Sequence, residues 1–398
     1  MLNTQIIVAG AGPTGLLAAA TLVKNGIQVR VFEKEKQRSE YSRALVIHAG
    51  ILEYLEIVHP DLLKKFLSCG KRIREMHFGE KYKIDLSLIP SGYNFLLVIE
   101  QEETEKILED YLIELGGQVE RGYSIIDAKN HQDQVTATIQ TDNEKFSVTA
   151  DYLIDCSGAH SIIRKEVLEI PFIGEKYFGR LVMGDIKVNS KIRDDIGQAT
   201  ANQNGIAAFV PLKEKSYFRV ILISHSDEEI PEKITIDYFR NLAKKIAPKI
   251  ELSEKNKWLA SFELSRRMVS QLRAGRIFLA GDSAHVHSPV GGQGMNLGMQ
   301  DALNISLKLK RVLVNKDNVT LLDNYEKERL PIIAEILKTT NSAMRSGVEK
   351  SFLSLVKMFL LKKIFAPILF RSKFMQRELL TVLSQIRSAR KEIGSMRL

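Results

Sequence analysis

The pattern of apolar and polar positions in the first thirty-five residues predicts a strand, a glycine-rich turn, a helix and a second strand. QIIVAG is followed by AGPTG, by the largely apolar LLAAATLVKNG and by IQVRVFEK. Short apolar runs are typical of strands, and Gly26 stands where the helix would end. A strand–helix–strand unit of this kind indicates a parallel sheet with crossover helices.

The pattern beyond residue 100 predicts a helix and then an antiparallel ribbon. Residues 102–115 place apolar side chains at helical spacing, with acidic residues in the first turn, where the helix dipole favours them. Residues 118–158 alternate with a period of two over several short segments. This alternation predicts antiparallel strands that lead into a buried strand at YLIDC.

Three further strand-like runs predict a second sheet between residues 176 and 224: RLVMGDIKV, GIAAFVPL and SYFRVILIS. A helix is predicted at 235–246, a strand at 276–280, and helix throughout the chain after residue 300. Because no repeat or low-complexity linker separates the two sheets, we interpret the second sheet as an insertion into the first domain.

Composition places the chain among ordinary globular proteins. It has 398 residues, of which 44% are apolar and 26% charged, and this composition excludes disordered and fibrous classes. The two cysteines, Cys69 and Cys156, exclude a disulfide framework, a dithiol oxidoreductase and a structural metal site, and they predict two buried thiols. No metal ligands are predicted. The N-terminus shows no secretory signal, which predicts a cytoplasmic protein.

The net charge of +9 comes from the C-terminal part of the chain. Residues 338–398 hold thirteen Lys or Arg and three Glu, a balance of +10 that leaves about −1 for the rest. No nucleic-acid motif accompanies the charge, so we expect no nucleic-acid partner. The tail is too often interrupted by charge to span a bilayer. Either its apolar face covers the first domain or a second subunit, or it lies peripherally on an anionic membrane surface.

The first motif with chemical meaning is GAGPTG, which follows a strand and opens a helix. Gly10 makes the tight turn, Gly12 lets a pyrophosphate approach the backbone, and Gly15 lets helix and strand pack closely. Glu33, at the end of the second strand, can accept hydrogen bonds from ribose hydroxyls, which favours FAD or NAD over NADP. The alternative, that the glycines only end a strand, does not account for the acid. A second motif of this kind is absent from the sequence.

The second motif is GDSAHVHSPVGGQGMN. Asp282 follows an apolar strand, and ligands of parallel sheets bind beyond the carboxyl ends of strands, so Asp282 is expected in the same crevice as the first motif. A carboxylate there suits a polyol chain. The glycines within 291–294 leave backbone N–H groups open before a helix predicted to begin near Met295 or Asn296. Such a helix N-terminus favours developing negative charge or a carbonyl-rich ring edge.

Together these segments resemble the FAD-dependent aromatic hydroxylases, the para-hydroxybenzoate hydroxylase and phenol hydroxylase group of flavoprotein monooxygenases. The resemblance runs in order through GAGPTG with Glu33, the SRA tripeptide at 42–44, the helix beginning at Gln101, YLIDCSGAHSIIR and GDSAHVHSPVGGQGMN. It extends from residue 4 to about residue 345. The motif that ends at Asn296 is highly specific.

The resemblance implies an α/β fold: a Rossmann-like FAD-binding domain with an inserted mixed β-sheet substrate domain and C-terminal helices. The expected boundaries are 1–75, 100–170 and 275–345 for the FAD-binding domain, 76–99 and 171–274 for the substrate-binding sheet, and 346–398 for basic amphipathic helices.

The resemblance also distributes the parts of FAD along the chain. It assigns the pyrophosphate to the first glycine turn, the adenosine ribose to Glu33 and the adenine to backbone near Ile126. Arg43, Gln101 and Asp282 are expected on the flavin or ribityl chain, and Pro289 with residues 292–296 on the ring edge. The residues expected to bind the cofactor are Gly10, Gly12, Pro13, Thr14, Gly15, Glu33, Lys34, Arg43, Gln101, Ile126, Asp282, Pro289, Gly292, Gln293, Gly294, Met295 and Asn296.

The implied reaction is reduction of FAD by transiently bound NAD(P)H, formation of a C4a-hydroperoxyflavin with dioxygen, and hydroxylation of a hydrophobic substrate. The substrate class is aromatic or polyketide-like, with antibiotics among the candidates. Candidates for a catalytic role are the backbone of Pro289 and His48, which is either a proton shuttle or a structural histidine. Tyr217, Arg219 and His225 join His48 as candidates to deprotonate a phenol; the alternative is that most of them are ordinary sheet or loop residues. A pocket is expected along strands near 181–186, 207–211 and 218–223.

Two departures from the family and two rival functions accompany this prediction. Ser157-Gly158 stands where relatives usually carry Asp-Gly, and the arginine that many relatives place near Gly50 is absent. Trp258 is the only tryptophan, which excludes the tryptophan-rich halogenase motif. The rivals are a flavin-dependent reductase or desaturase of a lipid or isoprenoid, and a FAD-binding protein without turnover. The protein is expected to be a monomer or homodimer.

Overall fold

The computed structural model describes residues 2–38, 44–225, 230–287, 291–348 and 370–396. The strands are β1 (Leu2–Ala9), β2 (Val29–Glu33), β3 (Val46–Ile47), β4 (Lys71–Ile73), β5 (Glu75–Phe78), β6 (Tyr82–Asp85), β7 (Leu96–Val98), β8 (Val119–Arg121), β9 (Ser124–Asn130), β10 (Val135–Gln140), β11 (Lys145–Asp155), β12 (Ile173–Val188), β13 (Gly197–Asn202), β14 (Gly205–Pro211), β15 (Tyr217–Ser224), β16 (Leu252–Met268), β17 (Arg273–Ala274), β18 (Ile277–Leu279) and β19 (His285–Val286). The helices are α1 (Pro13–Lys24), α2 (Ala49–Val58), α3 (Pro60–Cys69), α4 (Gln101–Glu114), α5 (Ile236–Ile246), α6 (Gln293–Leu313), α7 (Asp323–Val348), α8 (Lys373–Leu383) and α9 (Ile386–Met396).

The first sheet has a parallel centre in the order β18–β11–β1–β2–β8. Ile6, Ile7 and Val8 of β1 are fully buried, as expected where helices or ribbons cover both faces of a parallel sheet. In the register, Ala9 pairs with both Phe32 and Asp155, so the carboxyl ends of β1, β2 and β11 lie side by side. The predicted Rossmann-like arrangement is confirmed.

The antiparallel ribbon is formed by β9, β10 and β11. Residues 119–121, which the sequence grouped with this ribbon, instead form β8 and pair in parallel with β2. Three residues are too few for their alternation to distinguish a parallel edge strand from an antiparallel one.

The second sheet has the order β19–β16–β12–β15–β14–β13–β5–β6. Its three predicted strands are confirmed as β12, β14 and β15. The long strand β16, however, was not predicted. Its sequence, LSEKNKWLASFELSRRM, is rich in charge because much of the strand is exposed, and charge obscures the apolar alternation.

The two faces of the second sheet differ. On one face, Val182, Val220 and Leu222 pack against α5 through Phe239 and Ile246. Because side chains alternate along a strand, the neighbouring residues point the other way. This second face, which we call the inner face, is mainly apolar and includes Leu181, Met183, Ile206, Ile221, Ile223, Trp258, Phe262 and Leu264.

Two pairs of helices pack side by side. Helix α6 packs along α1, and α9 packs along α2. Helix α6 begins at Gln293, two residues before the predicted start. Within the described ranges, no helix has both the length and the apolar character needed to cross a membrane.

The tail and the cysteines differ in part from their predictions. Residues 349–369 lie outside the described part of the chain, while α9 packs along α2 of the first domain and α8 packs against residues 86–88 of the predicted substrate-binding segment. Both cysteines are free; Cys156 is buried, but Cys69 is only half-buried, so the prediction of two buried thiols is wrong for Cys69.

Candidate cofactor and active site

The first glycine turn separates positions that the fold needs from a position that a ligand would need. A Cβ on Gly10, which has φ +97°, would lie 2.6 Å from the Cys156 carbonyl oxygen. A Cβ on Gly15 would lie 2.0 Å from the Gly10 carbonyl oxygen. A Cβ on Gly12 would meet no atom within 4 Å. Close packing therefore requires Gly10 and Gly15, whereas Gly12 borders open space at the N-terminus of α1.

Glu33 is tied to this turn. Its Oε2 accepts a hydrogen bond from the Ala11 N–H at 2.8 Å, and its Oε1 accepts from the Glu35 N–H at 2.9 Å. Lys34 is exposed beside Glu35. The carboxylate is therefore held at the mouth of the glycine turn by neutral backbone donors.

The ribbon begins next to Glu33 and carries Ile126. The Tyr123 N–H donates to the Glu33 carbonyl at 3.0 Å. Across the ribbon, Asp127 pairs with Thr138 and Ile125 pairs with Ile139, so Ile126 is the extra residue of a β-bulge. Bulges interrupt the ladder, which leaves backbone groups near Ile126 free of their regular strand partners.

The turn that contains Asp282 lies against the first glycine turn. A Cβ on Gly281 or on Gly298 would come within 2.7 or 2.4 Å of Thr14 Oγ1. Two distant stretches of sequence are thus in direct contact at the carboxyl edge of the sheet. Asp282 is exposed in a single 3₁₀ turn at this contact. Pro13 is the first residue of α1 at the same place.

Ser157 has an acidic partner that the sequence analysis did not identify. The buried Asp155 accepts hydrogen bonds from the Ser157 N–H at 3.0 Å, from Ser157 Oγ at 2.5 Å and from Ser161 Oγ. Burial raises the pKa of Asp155, and the bonds from Ser157 and Ser161 oppose that shift. An acidic side chain is therefore present at this strand end, two residues before Ser157.

Arg164 is a second residue that sequence reasoning passed over. Its guanidinium donates to the Ser283 carbonyl at 3.0 Å and to the Ala159 carbonyl at 2.9 Å, and it lies over the Phe172 ring at 4.1 Å. It therefore joins the strand end at Asp155 to the turn that contains Asp282. The sequence shows an arginine in SIIR, but its partners are backbone carbonyls, which no residue pattern identifies.

Residues 291–294, which we call the second glycine loop, are held in place by side chains from several elements. Gly291 and Gly292 have φ of +79° and +64°, and Gly292 is the N-cap of α6. The Gly291 carbonyl accepts from His48 Nε2 at 2.8 Å and from Gln293 Nε2 at 3.1 Å. Asn296 Nδ2 donates to the Gly292 carbonyl at 2.9 Å, and Asn296 Oδ1 accepts from the His48 N–H at 2.7 Å. The loop backbone therefore has little freedom.

His48 is a neutral, buried residue. Only 3% of it is exposed, and burial lowers its pKa to about 4. A carbonyl oxygen only accepts, so Nε2 carries the proton that it shares with Gly291. The arrangement favours the structural alternative for His48 over the proton shuttle.

The other predicted cofactor residues occupy less central positions. Gln101 Oε1 accepts from the Ala44 N–H at 2.9 Å, and Gln101 Nε2 donates to Glu105 Oε1 at 2.8 Å. Gly294 lies near His287, and Met295 packs against the core of the first domain. Arg43 and Pro289 lie outside the described residues.

The inner face of the second sheet carries one buried ion pair. Asp185 and Arg219 are 1% and 0% exposed and contact each other through both guanidinium and carboxylate atoms. Trp258 Nε1 donates to Asp185 Oδ2 at 2.9 Å, and the Arg219 guanidinium lies 4.7 Å from the centroid of the Trp258 ring. Arg219 is therefore a buried charge that Asp185 compensates, and its guanidinium is committed to this ion pair.

The remaining phenol-deprotonation candidates lie elsewhere on the second sheet. Tyr217 lies beneath the Lys257 ammonium, 5.4 Å from Nζ to the ring centroid. It packs against the same apolar cluster as Val46, which a Cβ on Gly292 would contact at 3.3 Å. His225 follows β15, where its N–H donates to the Asn204 carbonyl. Tyr217 is thus the candidate on the side of the second glycine loop.

Comparison with known proteins agrees with this geometry. The family described as FAD binding domain matches residues 3–340. The chain is 30% identical over 348 residues to 6-methylpretetramide 4-monooxygenase of Streptomyces rimosus, which covers 85% of this chain and 61% of that protein. It is 30% identical over 353 residues to rifampicin monooxygenase of Rhodococcus hoagii, which covers 85% of this chain and 70% of that protein.

A solved structure gives the same result. The anhydrotetracycline hydroxylase OxyS from Streptomyces rimosus superimposes with a TM-score of 0.80 at 28% sequence identity. The superposition covers 96% of this chain and 76% of that chain. The present chain thus spans less than two thirds of the length of the first of these relatives and somewhat more of the others.

Proposed function

This chain belongs to the FAD binding domain family of flavoprotein hydroxylases, and from that membership we propose that it is an FAD-dependent monooxygenase that consumes NAD(P)H. Its proposed substrate is an aromatic or polyketide-like small molecule, to which it adds one hydroxyl group. The observation that carries the proposal is the contact of the first glycine turn with the turn that contains Asp282. This contact brings residues far apart in the chain together at one edge of the first sheet.

The residues at that edge fit FAD. The open space over Gly12 and the N-terminus of α1 suit a pyrophosphate, because unpaired N–H groups and the helix dipole favour negative charge. Glu33 would accept from the adenosine ribose, and the exposed Asp282 would accept from the ribityl chain. When bound, FAD supplies the electron transfer and the activation of dioxygen.

The chain itself must then orient the substrate and exclude water. The N-terminus of α6 presents N–H groups from a loop whose carbonyls are already bonded to His48, Gln293 and Asn296. Dipoles that are fixed in advance stabilise charge without reorganisation during the reaction. We assign this electrostatic role to the second glycine loop.

The inner face of the second sheet is the proposed substrate surface. Ile206, Ile221 and Phe262, which are only half-buried, supply apolar area for an aromatic ring system, and Tyr217 lies on the same face of β15 as Ile221. The relatives named above act, by their names, on a pretetramide and on rifampicin. We therefore infer a hydrophobic, multi-ring aromatic substrate that is large enough to cover several strands.

The decisive experiment measures oxygen transfer. Purified protein is loaded with FAD and incubated with NADH or NADPH and a panel of phenols and polyketide aromatics under ¹⁸O₂. The proposal expects substrate-stimulated nicotinamide oxidation and a product that is heavier by one labelled oxygen. Turnover that yields a reduced or desaturated product without label would establish the reductase or desaturase instead. A yellow protein that is inert with every substrate and both nicotinamides would identify a FAD-binding protein without turnover.

Assembly and membrane contact form a separate proposal. The basic residues of 346–398 either remain solvated on a monomer or homodimer, or they contact an anionic membrane surface. Co-sedimentation with phosphatidylserine vesicles, compared with phosphatidylcholine vesicles, separates the two alternatives. Binding to the anionic vesicles alone, lost at high salt, would establish the membrane contact.

A further inference from the structure

The ends of α8 and α9 that face the first domain form a strap over the second glycine loop. We call residues 383–392 the C-terminal strap. They follow the region of the chain that the FAD binding domain family matches, which ends at residue 340. The strap is nevertheless in direct contact with the site that this family region builds.

The contact is made by two buried amides. Gln385 Nε2 donates to Gln293 Oε1 at 2.6 Å. Gln293 Nε2 in turn donates to the Gly291 carbonyl at 3.1 Å and to the Leu383 carbonyl at 2.8 Å. Gln293 is fully buried and Gln385 is 2% exposed, so water does not compete for these bonds. A chain of hydrogen bonds therefore runs from the strap to the glycine loop.

The strap packs closely against helix α2 and is hydrogen-bonded to it. The Gly50 N–H donates to the Ser384 carbonyl at 2.9 Å, and a Cβ on Gly50 would lie 2.6 Å from the Gln385 carbonyl oxygen. Farther along, Glu392 Oε1 accepts from Arg329 at 2.6 Å in a buried ion pair. The strap therefore occupies the space beside Gly50.

Gln385 keeps an unfavourable conformation at this contact. Its φ is +56°, in the left-handed region that glutamine rarely adopts, and its Oε1 is buried without a hydrogen-bond partner among the described residues. Both features cost free energy. The compensating contact of this side chain is the donation to Gln293, which points to a role at the glycine loop.

That role follows from the geometry of one peptide. The Gly291 carbonyl is held by His48 and Gln293. In a trans peptide the N–H points opposite to the carbonyl, so these two donors also fix the direction of the Gly292 N–H. Any loosening of the Gln293 side chain would release one of the two constraints.

We propose that Gln385 is a positioning residue, which acts through Gln293 to fix the Gly291–Gly292 peptide against FAD. The inference rests on the proposed function, because it requires FAD at the second glycine loop. The residues before 340 supply the cofactor site, and the strap holds the loop of that site in its binding geometry.

The test compares two buried glutamines of the same helix pair. Gln385→Met keeps the side-chain size and the backbone strain but removes the donor. Gln376→Met is the matched control: Gln376 is 5% exposed and bonds the Asp85 N–H and the Phe370 carbonyl, away from the glycine loop. The measurements are FAD affinity by fluorescence titration of apoprotein, the visible spectrum of the bound flavin, and the unfolding free energy of each apoprotein.

We expect Gln385→Met to raise the FAD dissociation constant by about tenfold and to shift the bound-flavin spectrum, while Gln376→Met leaves both at wild-type values. In a double-mutant cycle, Gln293→Met and Gln385→Met are expected to be non-additive, because one acts through the other. Wild-type affinity and spectrum in Gln385→Met, or equal losses in Gln385→Met and the control Gln376→Met, would overturn the inference and leave the proposed function standing. A wild-type chain that takes up no FAD would overturn both.

Discussion

The N–H of Ala11 donates to Glu33 Oε2 at 2.8 Å, which joins the turn after β1 to the acid at the end of β2. The acid thus has a partner within the protein before any ligand binds. Its second oxygen is held by the Glu35 N–H at 2.9 Å, so the carboxylate has a fixed orientation. A fixed acceptor loses little entropy when a ribose hydroxyl binds to it.

Replacement of this acid should weaken cofactor binding. Glu33→Ala removes a charged acceptor, and we expect the FAD dissociation constant to rise about 10- to 100-fold. Glu35→Ala, at an exposed neighbouring position, is the control and should bind FAD as the wild type does. Fluorescence titration of the apoproteins measures both. Equal affinities for Glu33→Ala and the wild type would remove Glu33 from the site.

Gly12 and Gly15 of the first glycine turn should respond differently to an added methyl group. Gly15→Ala brings a Cβ within 2.0 Å of the Gly10 carbonyl oxygen, so we expect a loss of unfolding free energy of about 3 kcal/mol. Gly12→Ala meets open space and has an ordinary backbone conformation, so the apoprotein should keep its stability while FAD affinity falls. Chemical denaturation and FAD titration separate the two effects. A stable Gly15→Ala protein would contradict the packing argument.

Acid should destabilise the protein through His48. The unfolded chain takes up a proton at a pKa near 6.5, whereas folded His48 does so only near 4. Since the unfolded state binds more protons between these values, stability falls as the pH falls from 6.5 to 4, by up to roughly 3 kcal/mol. In His48→Gln this part of the pH dependence should be missing.

The readout for His48 is the slope of unfolding free energy against pH. The slope is not affected by the constant loss of the Gly291 hydrogen bond. His131→Gln, at an exposed histidine, is the control and should keep the wild-type slope. His59, whose pKa burial lowers to about 3, contributes to the same acid instability and remains in both variants. An unchanged slope in His48→Gln would show that His48 is not buried as described.

The buried Arg329–Glu392 ion pair should contribute far more to the unfolding free energy than the half-exposed Arg390–Glu53 pair. Arg329 is fully buried between Asp301 and Glu392, so Glu392→Gln leaves a buried cation short of one partner. We expect a loss of about 3 kcal/mol in unfolding free energy. Arg390→Gln breaks the half-exposed pair with Glu53 and should cost less than about 1 kcal/mol. Similar losses for both variants would contradict the assignment of Arg329 to the core.

Filling the inner face of the second sheet should block the substrate and spare the cofactor. Ile221→Trp adds a ring on that face, and we expect the KM for an aromatic substrate to rise at least about tenfold with unchanged FAD content. Ile113→Trp, at a position that is 57% exposed, is the control and should leave KM unchanged. Wild-type KM in Ile221→Trp would place the substrate elsewhere.

Much of the fold could be predicted because its signals are local. The run QIIVAG, the glycines of GAGPTG and the acid that ends β2 each report on a few neighbouring residues. The spacing of apolar residues and the positions of glycines therefore indicated the parallel sheet. Strand β16 was missed for the same reason, because its exposed, charged positions hide the alternation on which the prediction depends.

The glycine turns and the acids of the candidate site could be named from the sequence, but the side chains that hold them in place could not. No residue pattern around Asp155 or Arg164 identifies Ser283, in the turn of Asp282, as their common partner. Arg219 was a candidate for phenol deprotonation in the sequence and is ion-paired with Asp185 in the structure. Burial and pairing set these properties, and both depend on the neighbours that folding supplies.

The sequence by itself determined which residues turn the chain, where strands end, and which side chains have the chemistry for a dinucleotide. These follow from backbone sterics and from side-chain type, which a residue carries wherever it lies. Only the tertiary structure decided that Gln385 reaches Gln293, that Gly50 lies under the strap, and that Asp185 neutralises Arg219. Each is a contact between residues distant in the chain, made when helices and sheets pack to bury their apolar faces, and no local pattern encodes such a contact.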